Sequence, residues 1–422
     1  MPLLRRRRKR TPMPQLPVRY HSIVTWNKSH VSAAVVELSA GSAQLMGVAT
    51  APVHGISRTS HPDIDRWFAG CDQALTQAED MTIESCGQKI VPDHVTMCLP
   101  GEVTRALPII VSQRRQHPEV GIDSAELQRL VHRGYRKAQD VGVGSGASLR
   151  STDRAEEIVH GAVARVVLDG QEIVDPSGMR GETIELHLSF FLAPLEWLRA
   201  LEIVTQRLEL HLVGLLPDHV VIASPLSDHR SLLMVLDAEH TIVGLGSRGR
   251  LLWTVLSEMG ERDIVHETVR RIEIQGRNAD LLLRAYREGR LRREVEQVVI
   301  GEYWRALCAW MQRTARQIRT VAGEDPLPHH IYFLDATRRL PEAQPSLETP
   351  FWEGLLPFDA CPETVEIDAG RIHDVMDCTT RAVGPNYILV RALAHHVAHL
   401  YGQDNELERM LNELVREQLD HR

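Results

Sequence analysis

Several things are missing from this 422-residue chain, and each absence narrows its function. Aromatic residues make up only 5% of positions. Six cysteines, Cys71, Cys86, Cys98, Cys308, Cys361 and Cys378, are scattered without a CxxC pair and follow no recognisable secretory leader, so a reducing cytoplasm is expected. No apolar run approaches the roughly 18 residues of a spanning helix. The best candidate, residues 186–198, is short and holds Pro194 and Glu196, so a protein integral to a membrane is not expected. A net charge of −8 argues against broad or specific nucleic-acid affinity. No Ser, Cys or carboxylate constellation with partners at credible spacing is found, so no catalytic residue is named. No repeat of solenoid length is visible.

What is present is ordinary globular material, with 43% apolar and 25% charged residues in a length that calls for two or more packed units. The first 20 residues are the exception. Arg5 to Arg8, Lys9 and Arg10 precede Pro12, Pro14 and Pro17, which predicts a disordered basic tail. Residues 5–10 offer an anionic membrane about 1 kcal/mol per basic group near the surface, and a solvated terminus is the alternative.

Strand patterns at 23–25, 31–38 and 44–51 predict an antiparallel meander. Ile64, Trp67, Phe68, Cys71, Leu75 and Ala78 recur at helical spacing over 64–81, and a strand at 91–99 ends on Pro100-Gly101. The character then changes, with a strand at 106–112, a helix over 124–139, a Gly/Ser-rich loop at 142–149 and strands at 158–168 and 182–191. This reads as an α+β insert. A helix from Pro194 and apolar strands at 210–216 and 220–222 return the chain to its first unit. Strands at 231–236, 241–245 and 250–257 precede a mainly helical, arginine-rich stretch at 261–322. A strand at 331–334, a loop at 341–350, a helix over 383–401 and a last helix over 404–422 complete the pattern.

In this order the pieces resemble the FtsA family of bacterial cell-division proteins, with the PilM family of pilus proteins as a related alternative. The stretches that carry the resemblance are VHGISRTSHPDIDRWFAGCDQALTQAEDM at 53–81 and VDPSGMRGETIELHLSFFLAPLEWLRALEIVTQRLEL at 174–210, together with the opening hairpin at 23–56. The resemblance implies an α/β chain with a duplicated actin-like ATPase fold and an α+β interaction subdomain inserted in its first half. The implied boundaries are 21–93 with 194–228 for the first unit, 94–193 for the insert, 229–402 for the second unit and 403–422 for a C-terminal amphipathic helix.

The nucleotide motifs depart from that family. A phosphate hairpin needs glycine for close backbone approach and a carboxylate to hold water around the metal, but the first loop reads Thr25-Trp26-Asn27-Lys28. The second reads Leu236-Asp237-Ala238-Glu239-His240-Thr241, in which only Asp237 survives and Glu239 would repel a triphosphate by roughly a few kcal/mol. Asp335-Ala336 replaces the adenosine-holding Gly-Gly, and Arg391 stands where a small residue is expected. A pseudo-ATPase without a cofactor is therefore expected. If ATP with magnesium does bind, Lys28, Ser29, Asp237 and Thr241 are the residues to hold it.

Two other motifs are set aside. Gly244-x-Gly246-x-x-Gly249 matches the dinucleotide fingerprint, but 250–257 reads as a strand, so a hairpin turn is expected. His395, His396 and His399 share a helix, yet no third ligand can be named, so a metal site is not expected. In the last helix Leu407, Met410, Leu411, Leu414, Val415 and Leu419 form an apolar face without an aromatic anchor, which favours packing on a partner helix over lipid insertion. The expected function is a cytoplasmic division adaptor, with the cytoplasmic face of the membrane or the division site as its place of work, a tubulin-like ring protein as partner and self-association as a further mode. An active ATPase of division or pilus assembly is the alternative. The insert at 94–193, the helices at 261–322 and the arginine-rich 284–293 stretch are the expected partner faces.

Overall fold

The computed structural model describes residues 19–26, 29–39, 41–53, 62–144, 155–226, 229–274, 277–337, 340–384, 387–402 and 406–420. The basic tail at 1–18, Asn27, Lys28, residues 54–61 and most of the Gly/Ser-rich stretch lie outside the described residues.

The chain opens with the expected meander: β1 (Tyr20–Trp26), β2 (His30–Ser39) and β3 (Ser42–Pro52). Strand alternation sends Val24 and Trp26 into one core layer and Ile23 into the opposite one. α1 (Ile64–Cys86) starts where the Asp63 carboxylate accepts the Arg66 N–H and stops at Gly87, whose φ is 82°. Its Trp67 ring lies 5.2 Å from Trp26 and 4.7 Å from Trp197. β4 (His94–Leu99) then pairs parallel to β1.

The insert begins after β4 rather than at residue 94 as expected, because β4 is paired into the first sheet. It comprises β5 (Arg105–Arg114), α2 (Ser124–Gly144), β6 (Glu156–Leu168), β7 (Gln171–Ile173) and β8 (Thr183–Pro194). Its sheet is antiparallel, in the order β5-β8-β6-β7. One face holds Leu107, Ile109, Val111, Leu186 and Leu188 against α2. The other turns toward the second half, where the Ser189 hydroxyl donates to the Leu251 carbonyl at 3.0 Å. α3 (Leu195–Arg207), β9 (His211–Pro217) and α4 (Asp218–Ala223) return to the first unit. The strand expected at 220–222 is α4. Its residues His219 to Ala223 are all buried, and an apolar run covered on every side carries no period to distinguish helix from strand.

The second half repeats the first. β10 (Ser231–Leu236), β11 (Thr241–Ser247) and β12 (Arg250–Ser257) form a meander. Helices α5 (Glu261–Arg271), α6 (Arg277–Arg287) and α7 (Arg293–Ala322) precede β13 (His330–Asp335), which is parallel to β10. The 341–350 loop contains one single turn, α8 (Ala343–Ser346), and runs into a second, α9 (Pro350–Glu353), before β14 (Glu363–Glu366). The order β12-β11-β10-β13-β14 matches β3-β2-β1-β4-β9 of the first sheet in both position and direction. One face of the second sheet buries Leu232, Met234 and Phe333 against Trp310 of α7. The other puts Leu233, Val235, Ile242 and Leu334 into the first half's core.

The end of the chain corrects two expectations. β15 (Val375–Asp377) pairs parallel to β3, and α10 (Ile388–Gly402) lays Val390, Leu393, Ala394 and Val397 on the first sheet. β15 and α10 therefore lie on the first half, although the sequence assigns 229–402 to the second. α11 (Glu406–Asp420) does not wait for a partner helix either. It buries Leu407, Leu411 and Val415 in the insert's own core, where Arg250 and Glu408 pair at 2.6 Å. Among the described residues no helix is long and apolar enough to cross a membrane.

Candidate functional site

Because the two meanders face each other, their first turns meet at a cavity of about 390 Å³ between the halves. Thr25, Trp26, Ser29 and His30 reach it from the β1–β2 turn, and Asp237, Ala238 and His240 from the β10–β11 turn. Glu102 enters from the loop after β4, Asp218 from the start of α4, and Glu261 and Arg262 from the start of α5. The floor is apolar, built from Ile222, Val235, Ile242, Leu334, Ile388 and Leu389.

The second turn is closed on itself. Asp237 N–H donates to the His240 carbonyl at 2.9 Å, and the Asp237 carboxylate accepts the Ala238 N–H at 2.7 Å. The first amides of α5 are also engaged: Glu261 N–H donates to the Asp237 carbonyl and Arg262 N–H to the Ala238 carbonyl, at 2.9 and 2.8 Å. A phosphate loop keeps such amides turned outward for its ligand. Here backbone and side-chain oxygens of the same chain take them. Across the cavity, His240 Nδ1 donates to Glu102 Oε2 at 3.0 Å and so ties the second half to the first.

Among the described residues, the lining carries four carboxylates, Glu102, Asp218, Asp237 and Glu261, against one guanidinium, Arg262. Arg262 is itself engaged by Glu239 at 2.7 Å. Burial pushes the His30 imidazole below its usual range, which removes a cation from the same wall. The described part of the cavity therefore carries more carboxylates than cationic groups.

The residues named from sequence are dispersed. Ser29 and Asp237 line the cavity, and Lys28 lies outside the described residues. Thr241 is not part of the wall. Its side chain is wholly buried; its hydroxyl donates to the Met259 carbonyl and accepts from Trp310 Nε1, both at 2.8 Å. Glu239 faces Arg262 rather than the cavity. Arg391 turns away and donates to the Val375 carbonyl at 2.8 Å, pinning β15 instead of blocking a nucleotide cleft. Asp335 accepts the Thr337 N–H at 2.9 Å and the Leu340 N–H at 3.2 Å, another turn whose anion is built in. Sequence reasoning misses Glu102, Asp218 and Glu261. The signals were there: Glu102 follows Pro100-Gly101 at a strand end, Asp218 follows Pro217, and Glu261 follows Gly260.

The dinucleotide fingerprint is removed by the same hairpins. Gly244 and Gly246 sit in β11, Gly249 takes φ 70° in the turn, and β12 follows where a phosphate-facing helix would be required.

No protein-family model matches the chain, and no curated protein matches it. Among solved structures, it is similar to a chain of a PilM-PilN type IV pilus biogenesis complex, with TM-score 0.57 and 14% identity over 92% of this chain and 100% of that one. Ethanolamine utilization protein EutJ from Carboxydothermus hydrogenoformans gives 0.43 and 11% over 90% of each chain. The cytoplasmic domain of EpsL, an inner membrane component of the type II secretion system of Vibrio cholerae, gives 0.33 and 12% over 92% and 98%. At this identity the likeness establishes the fold, and that fold is the actin-like ATPase fold.

Proposed function

We propose that this chain is a scaffold: an actin-like fold that works by binding proteins, with a nucleotide cleft that no longer takes a nucleotide. The observation that carries this reading is the Asp237 carboxylate seated 2.7 Å from the Ala238 amide. An anion supplied by the chain stands where a bound phosphate would need a donor. The four lining carboxylates and the engaged α5 amides act in the same direction, so the described residues do not fit a magnesium triphosphate.

The partner faces are the insert and the second-half helices. On α7, Val295, Val298, Ile300 and Trp304 are exposed, and the insert exposes Ile110, Val120 and Val174. The arginine-rich stretch is partly neutralised, since Arg284 and Arg290 both pair with Glu288. The solved PilM-PilN type IV pilus biogenesis complex supports the role, since there a chain of similar fold is part of a complex with a second protein. A division setting with a tubulin-like partner is the second form of the same proposal.

The test is equilibrium binding of ATP with magnesium to the full chain. No saturation is expected. Micromolar affinity that Lys28→Ala abolishes would replace the scaffold reading with that of an active ATPase.

A further inference from the structure

A second cavity, of about 470 Å³, lies where α10, the insert strands β6 and β8, the β11–β12 turn and α11 meet. His395 and His399 face it from successive turns of α10, an i, i+4 pair on one helix face. The sequence offers them no third ligand, but the fold supplies one. Asp374 immediately precedes β15 and is fixed by its carbonyl, which accepts the Ala43 N–H at 2.9 Å. One ligand atom from each of Asp374, His395 and His399 can be chosen so that all three lie within 4.8 Å of one another.

The spacing is informative. His399 Nε2 and Asp374 Oδ2 share a long hydrogen bond of 3.3 Å, and the same oxygen lies 3.6 Å from His395 Nδ1, beyond hydrogen-bond length. A charged hydrogen bond between imidazole and carboxylate closes to about 2.7–2.9 Å. Two ligands on one tetrahedral ion at about 2.0–2.1 Å sit roughly 3.3–3.5 Å apart, close to what is seen. His395 is also nine-tenths buried, and its Nδ1 makes no hydrogen bond among the described residues. An ion between them would satisfy this buried ring nitrogen, which the carboxylate at 3.6 Å does not.

We propose that Asp374, His395 and His399 form a site for a first-row divalent transition metal of the zinc type, with its remaining coordination open to this cavity. Two imidazoles and one carboxylate are a borderline donor set, suited to zinc and its neighbours rather than to calcium or magnesium. The three ligands come from one layer of the first half, so the site needs no movement between halves to assemble. The same cavity is lined by His160, His396 and Arg248, which belong to the insert, to α10 and to the β11–β12 turn. A metal there joins the edge strand β15 to α10 and presents an exchangeable position to a small anionic or neutral ligand.

The experiment is zinc binding by titration calorimetry on tag-free full-length protein freed of metal, with cobalt(II) absorption as a second readout. One equivalent bound at micromolar affinity or tighter is expected, together with cobalt d–d bands of a low-coordinate nitrogen and oxygen site. Asp374→Ala and His399→Ala should each weaken binding at least about tenfold and abolish the bands, as loss of a direct ligand requires. Both side chains are 40–50% exposed, at 49% and 41%, so both variants should fold, which circular dichroism checks. His266→Ala, on the exposed face of α5, should bind as the parent does. Absence of stoichiometric binding, or binding that survives both ligand substitutions, overturns the site.

Discussion

Replacing Thr241 by valine tests whether this residue belongs to the cleft or to the frame beneath it. The side chain is wholly buried, as is Trp310, and the Thr241 hydroxyl links the Trp310 indole N–H to the Met259 carbonyl, with both contacts at 2.8 Å. Valine keeps the shape and the β-branch but removes both links. An unsatisfied buried donor and an unsatisfied buried acceptor cost about 1–3 kcal/mol each, so Thr241→Val should lose about 2–6 kcal/mol. In a cooperative unit of roughly 150–250 residues that lowers Tm by at least about 4 °C. Urea unfolding followed by tryptophan fluorescence reads the change directly. Trp310→Phe completes a double-mutant cycle, in which the pair should lose less than the sum of the singles by about 1 kcal/mol. A loss under about 0.5 kcal/mol, or strict additivity, would show that the hydroxyl is not part of this network and would return Thr241 to the cleft.

Leu411→Ala should destabilise the insert by about 2–5 kcal/mol, because Leu411 is fully buried in the insert's core. Hydrogen exchange should quicken in α2 and β6, and exchange confined to α11 would refute its role as part of that core. His21 sets an acid limit. Burial chiefly, with His94 and Arg416 beside it, pushes its imidazole from 6.5 to about 3, so the unfolded chain takes up a proton that the folded chain refuses. Its contribution is nil above pH 6.5, and stability falls by about 1.4 kcal/mol per pH unit from there toward pH 3. His21→Gln, able to keep the 2.8 Å bond to the Thr96 hydroxyl, should flatten that limb in denaturation midpoints measured from pH 7 to 4.5, and an unchanged slope would refute the assignment.

Much of the framework was legible because the strands of each meander are short β-branched and apolar runs separated by turns, and α1 carries both a cap and a helical period. The short edge strands β14 and β15 went unread. Three or four residues with mixed burial hold no periodic signal, and only pairing to β13 and β3 defines them. The attachment of α11 was unreadable for another reason. An amphipathic face states that something covers it, and the insert does so from 250 residues away in the sequence. In the cleft, the directions of the side chains were not legible in the sequence. Asp237 points in, while Thr241, Glu239 and Arg391 are spent on contacts elsewhere. Asp374 shows the same limit, since a ligand that comes from the strand edge has no fixed spacing to a helical histidine pair.

The central claim is that Asp237 occupies the phosphate position rather than serving it, and the sign of one substitution decides this. In an active ATPase the carboxylate helps hold the metal, so Asp237→Ala must weaken magnesium ATP binding. In a self-capped cleft the same change frees the Ala238 amide and removes a negative charge, so anion affinity stays level or rises. Calorimetric titration of magnesium ATP into both proteins should give no saturation for the parent and no weaker binding for Asp237→Ala. Saturable micromolar binding by the parent, lost at least tenfold in Asp237→Ala, would contradict the account.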